Sequence, residues 1–354
     1  MRDPLDVARY IFVNDENELR SGWRVLIFIV CFALSAALLS GLREGFATLF
    51  PSFAYLRESE RERSGAHELV YVFVNALLNL AAAMIASGIC ARVLERRSFA
   101  SVGFKLHRRW RTDFTLGSLL GASSLAIAVG IAASAGAVSF IVQTKGPGAL
   151  ARALSITVLF FVVAGATEEL VFRGFPFQAL DHGLGGVKAI TITAFWFGLA
   201  HIANPGATVF STINTMLAGV WLGIAYLMTR SLWLATALHW SWNFAMVFVF
   251  GLPVSGFTSL DSLSWLRSSA GPPVWLSGGG YGPEGGAAAT LALILSTMTL
   301  WKSGLFTQSE EMLAAIKHGK REEAVVSVVP QKTLEPENIS DESVSIPDEA
   351  QKRE

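Results

Sequence analysis

Long uninterrupted apolar stretches constrain this chain more than any other feature of its sequence. A helix that crosses a bilayer needs about 20 mostly apolar residues, and eight segments approach or exceed that length. Only 16% of the 354 residues are charged, against about 25% in an ordinary soluble domain. The segments are 23–42, 69–91, 114–140, 154–180, 187–202, 208–228, 232–252 and 287–301. The sequence therefore predicts an all-α, polytopic integral membrane protein with about eight transmembrane helices.

Composition divides the chain into three parts. Residues 1–22 form a mixed-charge N-terminal segment, 23–306 the membrane domain, and 307–354 a polar tail whose composition is typical of disorder. Within the tail, 308–320 has the pattern of one short surface helix. The loop 253–286, rich in Gly, Pro, Ser and Trp, is expected to form either a packed cap or a mobile segment. No cleavable signal peptide is evident, because the first apolar segment is long enough to remain as an anchor.

Lys and Arg are distributed unevenly over the loops, and cytoplasmic loops carry an excess of them. The densest cluster lies in 92–111 and consists of Arg92, Arg96, Arg97, Lys105, Arg108, Arg109 and Arg111. If this loop is cytoplasmic, eight spans place both termini in the cytoplasm and 253–286 outside. We therefore predict a multi-pass protein of the cell (inner or plasma) membrane with both termini cytoplasmic.

Charge and cysteine content exclude several classes of partner. The formal net charge is zero, so a polyanion such as a nucleic acid is not an expected partner. The lipid bilayer is an expected partner because of the long apolar segments. Cys31 and Cys90 both lie inside apolar blocks and resemble small packing residues. The sequence therefore predicts neither a disulfide framework nor a thiol–metal site.

The polar side chains that matter most are confined to three spans. An ionisable residue inside a membrane must be paired or hydrated, so it indicates a functional site by default. The fourth span has two acids and a base, the fifth ends near a histidine, and the seventh has a histidine and an amide. These residues are Glu168, Glu169, Arg173, His201, His239 and Asn243.

Helical spacing separates the two acids. Glu169 and Arg173 are four residues apart and share one helix face, so they can form an ion pair. Glu168 is rotated by about 100° from Glu169, so it cannot serve the same face and is expected to point into a cavity. At 1.5 Å per residue, Glu168 and His201 lie about 18 and 21 Å from the same membrane side. His239 and Asn243 lie at comparable depth, so the three spans can converge on one site.

Such a set of side chains suits hydrolysis of an amide or ester bond. A carboxylate in apolar surroundings can act as a general base toward water, and a neighbouring histidine can orient that water. A second histidine and an asparagine can donate hydrogen bonds to a developing oxyanion. The same set, Glu168 with His201 and His239, could instead bind zinc, which takes nitrogen and oxygen ligands.

The order of these motifs resembles that of a known family of membrane proteins. EELVFR at 168–173 matches an EExxxR motif, FGLAH at 197–201 matches FxxxH, and HWSWN at 239–243 matches HxxxN. The chain thus resembles the CPBP family, which comprises the type II CAAX prenyl endopeptidases and Abi-like bacterial relatives, among them bacteriocin-processing and self-immunity proteins. The resemblance covers about 154–252, and WLSGGGYGPEGG at 275–286 is similar to a loop of many bacterial members.

The resemblance implies an eight-helix intramembrane protease whose site opens to the cytoplasmic side. It implies that Glu168 activates the water with help from His201, and that Glu169 and Arg173 order the site. Its expected substrate is a membrane-associated protein or a lipidated or leader peptide.

By the same resemblance, His239 and Asn243 form the oxyanion hole. Family members are described both as metalloproteases and as glutamate-type proteases without metal. We favour the reaction without metal or other cofactor, and zinc bound by Glu168, His201 and His239 stays open as the alternative.

Two functions of other classes compete with the protease. In an ion- or proton-coupled transporter the same acids and histidines would relay protons, although the sequence has no inverted repeat of interrupted spans. A non-catalytic immunity or scaffold protein would keep the fold without the activity, although here every motif position is filled.

Overall fold

The computed structural model describes residues 10–14, 17–57 and 65–317. Six helical segments are long and apolar enough to cross a membrane, and two shorter apolar helices accompany them. The prediction of an all-α polytopic membrane protein is therefore confirmed. The main helices are α1 Ser21–Leu49, α2 Gly65–Leu94, α3 Trp110–Ser134, α4 Pro147–Arg173, α5 Phe175–Leu184, α6 Gly186–Ala200, α7 Val209–Thr229, α8 Leu232–Phe244 and α9 Ala287–Lys302.

The third predicted span, 114–140, is wrong at its carboxyl end. Helix α3 ends at Ser134, and the chain turns through Gly136 with a φ of 73°. The apolar residues that follow form strand β1 (Val138–Val142), which pairs antiparallel with β2 (Leu266–Ala270). A short apolar run rich in branched side chains fits a strand as well as the end of a helix.

The fourth predicted span, 154–180, is two helices rather than one. Gly174 separates α4 from α5 and has ψ −129°, outside the helical region. Pro176 lies in the first turn of α5, where its missing N–H costs nothing, whereas inside a continuous helix its ring would clash with an earlier carbonyl. The break therefore follows from the proline, and it lets α5 take its own direction.

Small residues bring the helices that carry the polar groups close together. A methyl group on Gly121 of α3 would lie 2.4 Å from the Leu238 carbonyl oxygen of α8. Likewise, a methyl group on Gly219 of α7 would lie 2.7 Å from Ala194 Cα of α6. Small residues allow this approach in membrane proteins, where packing replaces the hydrophobic drive. Larger side chains at these positions would separate the helices around the site.

One end of the bundle, here called the basic end, gathers residues 20–24, 92–113, 173–188, 229–232 and 302–317. Arg97 donates to Gln178 (2.9 Å), Arg24 pairs with Glu95 (3.1 Å), and Leu232 N donates to Gly103 O (3.0 Å). Burial lowers the pKa of the Arg97 guanidinium to about 10, so this side chain is still charged at neutral pH. A last short helix, 310–317, lies within the segment predicted to be helical.

The opposite end, here called the cap end, includes the loop 253–286, and there the loop is a packed cap. Gly256 N donates to Tyr281 O (2.9 Å), and the Asn214 amide donates to the carbonyls of Glu284 (2.9 Å) and Gly286 (3.0 Å). Gly256 has a φ of 86°, and a methyl group there would lie 1.9 Å from Pro205 O. Most of the predicted tail disorder falls on 318–354, outside the described residues, as do residues 1–9.

Candidate active site

A cavity of about 490 Å³ lies inside the bundle. The polar residues singled out in three separate spans meet there. Glu168 of α4, His201 after α6, and His239 and Asn243 of α8 all line it. The remaining two, Glu169 and Arg173, lie beside it in the packed interior.

Glu169 and Arg173 form the ion pair that their spacing predicts. The carboxylate Oε1 lies 3.0 Å from the guanidinium, and both side chains are 0% exposed. Arg173 also donates to the Gly219 carbonyl (3.1 Å) and lies 4.4 Å from the Phe197 ring centroid. Because Gly219 is on α7 and Phe197 on α6, this one guanidinium joins three helices.

His239 is fixed by the same buried carboxylate. Its Nδ1 lies 2.9 Å from Glu169 Oε1, and since an ionised carboxylate only accepts hydrogen bonds, Nδ1 is the donor. The other ring nitrogen, Nε2, then lies 3.8 Å from Glu168 Oε2. Glu169 therefore orients the ring so that its free nitrogen faces the second glutamate.

His201 approaches Glu168 from another helix in the same way. It is the C-cap residue of α6, and its Nδ1 lies 2.7 Å from the Phe197 carbonyl oxygen. A carbonyl accepts only, so Nδ1 donates and Nε2 carries the lone pair of the neutral ring. That Nε2 lies 3.8 Å from Glu168 Oε2. Two imidazoles held by different partners thus present the same atom to one carboxylate.

The local chain path explains why His201 sits inside the bundle. Helix α6 has only 15 residues, about 22 Å of rise, so it ends before crossing a hydrocarbon core of about 30 Å. Thr208 restarts the chain as α7 with a reciprocal capping box, in which the Thr208 and Ser211 side chains accept each other's backbone N–H. The loop 201–207 that joins the two helices packs against the cap at Gly256, and its residues His201 and Asn204 line the cavity.

Glu168 differs from Glu169 in its exposure to the cavity. Its side chain is 36% exposed, and its Oε2 accepts no hydrogen bond from the part of the protein that is described. The distance of 3.8 Å to each histidine is too long for a hydrogen bond. Part of the Glu168 carboxylate is therefore open to the cavity, whereas its Oε2, like Glu169 Oε2, is itself buried without a hydrogen-bond partner in the described structure.

Asn243 completes the polar wall one helical turn beyond His239. Its Oδ1 is buried without a hydrogen-bond partner in the described structure, while the residue as a whole lines the cavity beside Trp221 and Trp242. Its amide N–H₂ group is a donor of the type that a substrate carbonyl requires.

The sequence analysis did not predict several of the residues that line the cavity. Asn214 could have been predicted, because it is a polar residue inside the sixth span. Its amide also donates to the Glu284 carbonyl and so anchors the cap. Ser255 in the cap could not have been predicted, because its position depends on how the loop folds back. Beside the cavity, burial and the nearby Glu284 carboxylate raise the pKa of the Tyr281 phenol, so it is protonated at neutral pH.

A zinc site at Glu168, His201 and His239 would need these ligands to be held close together. Among residues 10–14, 17–57 and 65–317, no group of three or more His, Cys, Asp or Glu has the spacing of a metal site. Both imidazole Nε2 atoms lie 3.8 Å from Glu168 Oε2, and these three groups are not placed to hold a metal ion together. The hydrogen bonds at Nδ1 do not decide the question, because zinc-bound histidines also donate their second ring N–H to an oxygen. With the side chains placed as they are, the alternative zinc site at Glu168, His201 and His239 is not formed.

Comparison with known proteins identifies the segment that holds these residues. Residues 150–245 match the family model described as Type II CAAX prenyl endopeptidase Rce1-like. A search of curated proteins found no match. The matched segment runs from α4 to α8 and contains every residue of the candidate site. It confirms the resemblance carried by the three motifs: residues 150–245 are similar to the Rce1-like family model, consistent with the CPBP family.

Proposed function

We propose that this chain is an intramembrane endopeptidase that hydrolyses a peptide bond in a membrane-associated protein or in a lipidated or leader peptide. The Rce1-like match supports CAAX-type intramembrane endopeptidase activity in general. The observation that carries the proposal further is the convergence of two imidazoles on Glu168, whose side chain is 36% exposed. One carboxylate oxygen without a partner faces two imidazole nitrogens, each at 3.8 Å, in a cavity inside a helical bundle.

Glu168 is proposed to be the general base. It takes a proton from a water molecule as the water oxygen attacks the carbonyl carbon of the scissile bond. The proton then passes to the leaving amine, so the carboxylate is regenerated at the end of the cycle. His201 accepts a hydrogen bond from the same water through Nε2, because its Nδ1 is committed to the Phe197 carbonyl.

His239 and Asn243 are proposed to stabilise the oxyanion. His239 can donate through Nε2 only as an imidazolium, since Nδ1 already donates to Glu169 (2.9 Å). The buried Glu169 carboxylate accepts the Nδ1–H and holds the ring with Nε2 toward the cavity. Asn243 donates through its amide from one turn further along α8. Oriented donors of this kind contribute most where water is excluded.

The proposed reaction needs no metal ion, because the nucleophile is activated by a carboxylate. Purified enzyme should cleave peptide at an unchanged rate after treatment with a chelator, and elemental analysis should find no stoichiometric zinc. Loss of activity on chelation, restored by zinc, would replace this mechanism with a metal-dependent one.

The function is tested with purified protein in detergent and a mixture of quenched fluorescent peptides, with products identified by mass spectrometry. Wild type should cleave, and in H₂¹⁸O one heavy oxygen should enter each new carboxyl group. Glu168→Gln should be inactive. The matched control is Glu310→Gln, the same change at an exposed position of helix 310–317, and it should behave as wild type. Wild-type-like cleavage by Glu168→Gln would refute the mechanism.

A further inference from the structure

The start of α3 and the end of α9 lie side by side at the basic end. Arg109, the residue before α3, donates from its guanidinium to the carbonyl of Leu305, just beyond the end of α9 (2.7 Å). Lys105, in the loop before α3, donates to the Glu311 carbonyl (3.4 Å). The exposed side chains of these two segments therefore belong to one surface.

Tryptophans mark the depth of this surface in the membrane. Trp110, the first residue of α3, packs against Trp233 near the start of α8, with 4.9 Å between ring centroids. The Trp233 indole N–H donates to the Lys105 carbonyl (3.0 Å). Trp301, in the last turn of α9, is 75% exposed. Tryptophan is enriched where the hydrocarbon meets the lipid headgroups, so three helices place that boundary at the same level.

Three exposed cations adjoin these tryptophans, and together they form what is here called the α3–α9 face. It consists of Arg108, Arg111 and Lys302, with Trp110 and Trp301. The Arg111 guanidinium carbon lies 5.4 Å from the Trp110 ring centroid. Long basic side chains at such a level keep their stems on apolar surface and their charges among the headgroups.

Elsewhere at the basic end, cations have acidic partners inside the protein. Arg24 pairs with Glu95 at 3.1 Å, and Arg230 pairs with Asp181. Among residues 10–14, 17–57 and 65–317, by contrast, none of the ion pairs involves a cation of the α3–α9 face. These exposed charges are therefore left to a partner outside the described chain.

The acids beside the α3–α9 face do not neutralise it. Over residues 105–113 and 302–311, five cations stand against three acids. Asp113 is 1% exposed, and its carboxylate lies 3.9 Å from Arg109 Nε. The Glu311 carboxylate accepts the backbone N–H of Arg108 (3.3 Å) rather than its guanidinium. The face therefore keeps an excess of positive charge at the membrane boundary.

We propose that the α3–α9 face binds the phosphate of an anionic phospholipid. Guanidinium and ammonium groups donate charge-assisted hydrogen bonds to phosphate oxygens. The acyl chains of such a lipid would lie along apolar side chains that both helices expose below the cations, among them Leu119 of α3 (61% exposed) and Met298 of α9 (46% exposed). A soluble anion would not use that apolar surface. The proposal does not depend on the peptidase function.

The test titrates the full-length protein in neutral detergent with phosphatidylglycerol or with phosphatidylcholine of the same acyl chains. Native mass spectrometry counts the bound lipids. Wild type should bind phosphatidylglycerol more tightly. Because each cation near an anionic surface contributes about a fivefold factor in affinity, Arg108→Gln/Arg111→Gln should weaken that binding about 25-fold. Lys302→Gln should weaken it about fivefold, and phosphatidylcholine binding should not change.

The matched control is Arg152→Gln/Arg267→Gln, which removes two exposed cations from the start of α4 and from β2. It should keep the wild-type affinity for phosphatidylglycerol. Arg108→Lys/Arg111→Lys retains both charges and should bind within a few-fold of wild type. An equal loss in the control pair would mean diffuse attraction and would overturn the proposal. Thermal unfolding in neutral detergent verifies that each variant is folded, and Lys302→Gln decides the matter if the arginine pair does not fold.

Inorganic phosphate separates a lipid from a soluble anion. Added at the concentration of the lipid, it should not displace phosphatidylglycerol from wild type, whereas higher salt should weaken the binding by screening exposed charges. Displacement by inorganic phosphate at that concentration would assign the face to a soluble anion instead. Equal affinity of wild type for the two phospholipids would refute the proposal directly.

Discussion

The two faces of α4 near its carboxyl end place adjacent glutamates in opposite environments. Glu169 points into the packed interior, is 0% exposed, and contacts both Arg173 and His239. Glu168 points into the cavity and is 36% exposed. In the described structure the Oε2 atom of each glutamate lacks a hydrogen-bond partner, so exposure and the ion pair are what separate the two. The packed face uses a carboxylate as a structural anchor, whereas the cavity face leaves the same group free to react.

Electrostatics explains why the packed face needs so many partners. An ion removed from water loses several kcal/mol of solvation, about as much as a well-placed pair regains. Glu169 has a cation and an imidazole N–H, and Arg173 has in addition a carbonyl and an aromatic face. Glu168 avoids part of that cost because its side chain is 36% exposed. An ionised carboxylate at this position is therefore compatible with a folded protein.

The largest effect should come from the cavity face. Glu168→Gln removes the base but keeps the shape, so we expect kcat to fall by about 10³-fold or more. The midpoint of thermal unfolding in detergent should stay close to wild type, since the change in stability for a partly exposed position is about 0.5 kcal/mol or less. A large drop in the unfolding midpoint would mean that Glu168 also supports the fold, and the comparison of the two faces would fail.

The packed face should show the opposite signature. Glu169→Ala leaves Arg173 buried without its counter-ion, and breaking a buried pair in this way costs about 3–5 kcal/mol of unfolding free energy. Chemical denaturation in detergent measures the loss. The double variant Glu169→Ala/Arg173→Met, which removes both charges, should be more stable than the single variant. Equal instability of the two would show that the charge pair is not the origin of the effect.

Spacing within one helix predicts part of this arrangement from the sequence alone. The four-residue step from Glu169 to Arg173 fixes their pairing, and the rotation of one residue fixes the different face of Glu168. The second partner of Glu169 is His239, which lies 70 residues further along the chain. Its contact depends on the rotation and vertical shift of α8 against α4, which Gly165 and Trp240 set by close packing and which no periodicity encodes.

The ends of helices and the short strand are a second feature that the sequence did not predict. The interruption at Gly174 has a readable cause in Pro176, yet the apolar run 154–180 hides it when hydropathy alone is followed. The strand Val138–Val142 is invisible for a related reason, because its pairing partner Leu266–Ala270 lies in a loop more than 100 residues away. The cap lining of the cavity depends on that same loop and was missed with it.

A smaller effect is expected at Asn243, one helical turn beyond His239 on α8. Asn243→Ala removes one proposed oxyanion donor, which in other enzymes lowers kcat by about 10²- to 10³-fold. Binding of the uncleaved peptide, measured in the Glu168→Gln background, should change little, because the donor acts on charge that develops during the reaction. Asn243→Gln is the control that keeps the amide but shifts it. An unchanged kcat in Asn243→Ala would remove Asn243 from the mechanism.

The smallest effect should appear at the basic end, where Tyr226→Phe deletes a hydroxyl 2.9 Å from Gln178 Nε2. The Gln178 amide keeps its bonds to the Ser101 and Val102 carbonyls, so the loss should be about 1 kcal/mol of unfolding free energy. Cleavage at a temperature well below unfolding should match wild type, because Tyr226 does not line the cavity. A fall in kcat larger than the loss of folded protein would mean that helix α5 also shapes the site. The packing of the interior and the reactivity of Glu168 would then depend on each other, and the separation of the two faces of α4 would not hold.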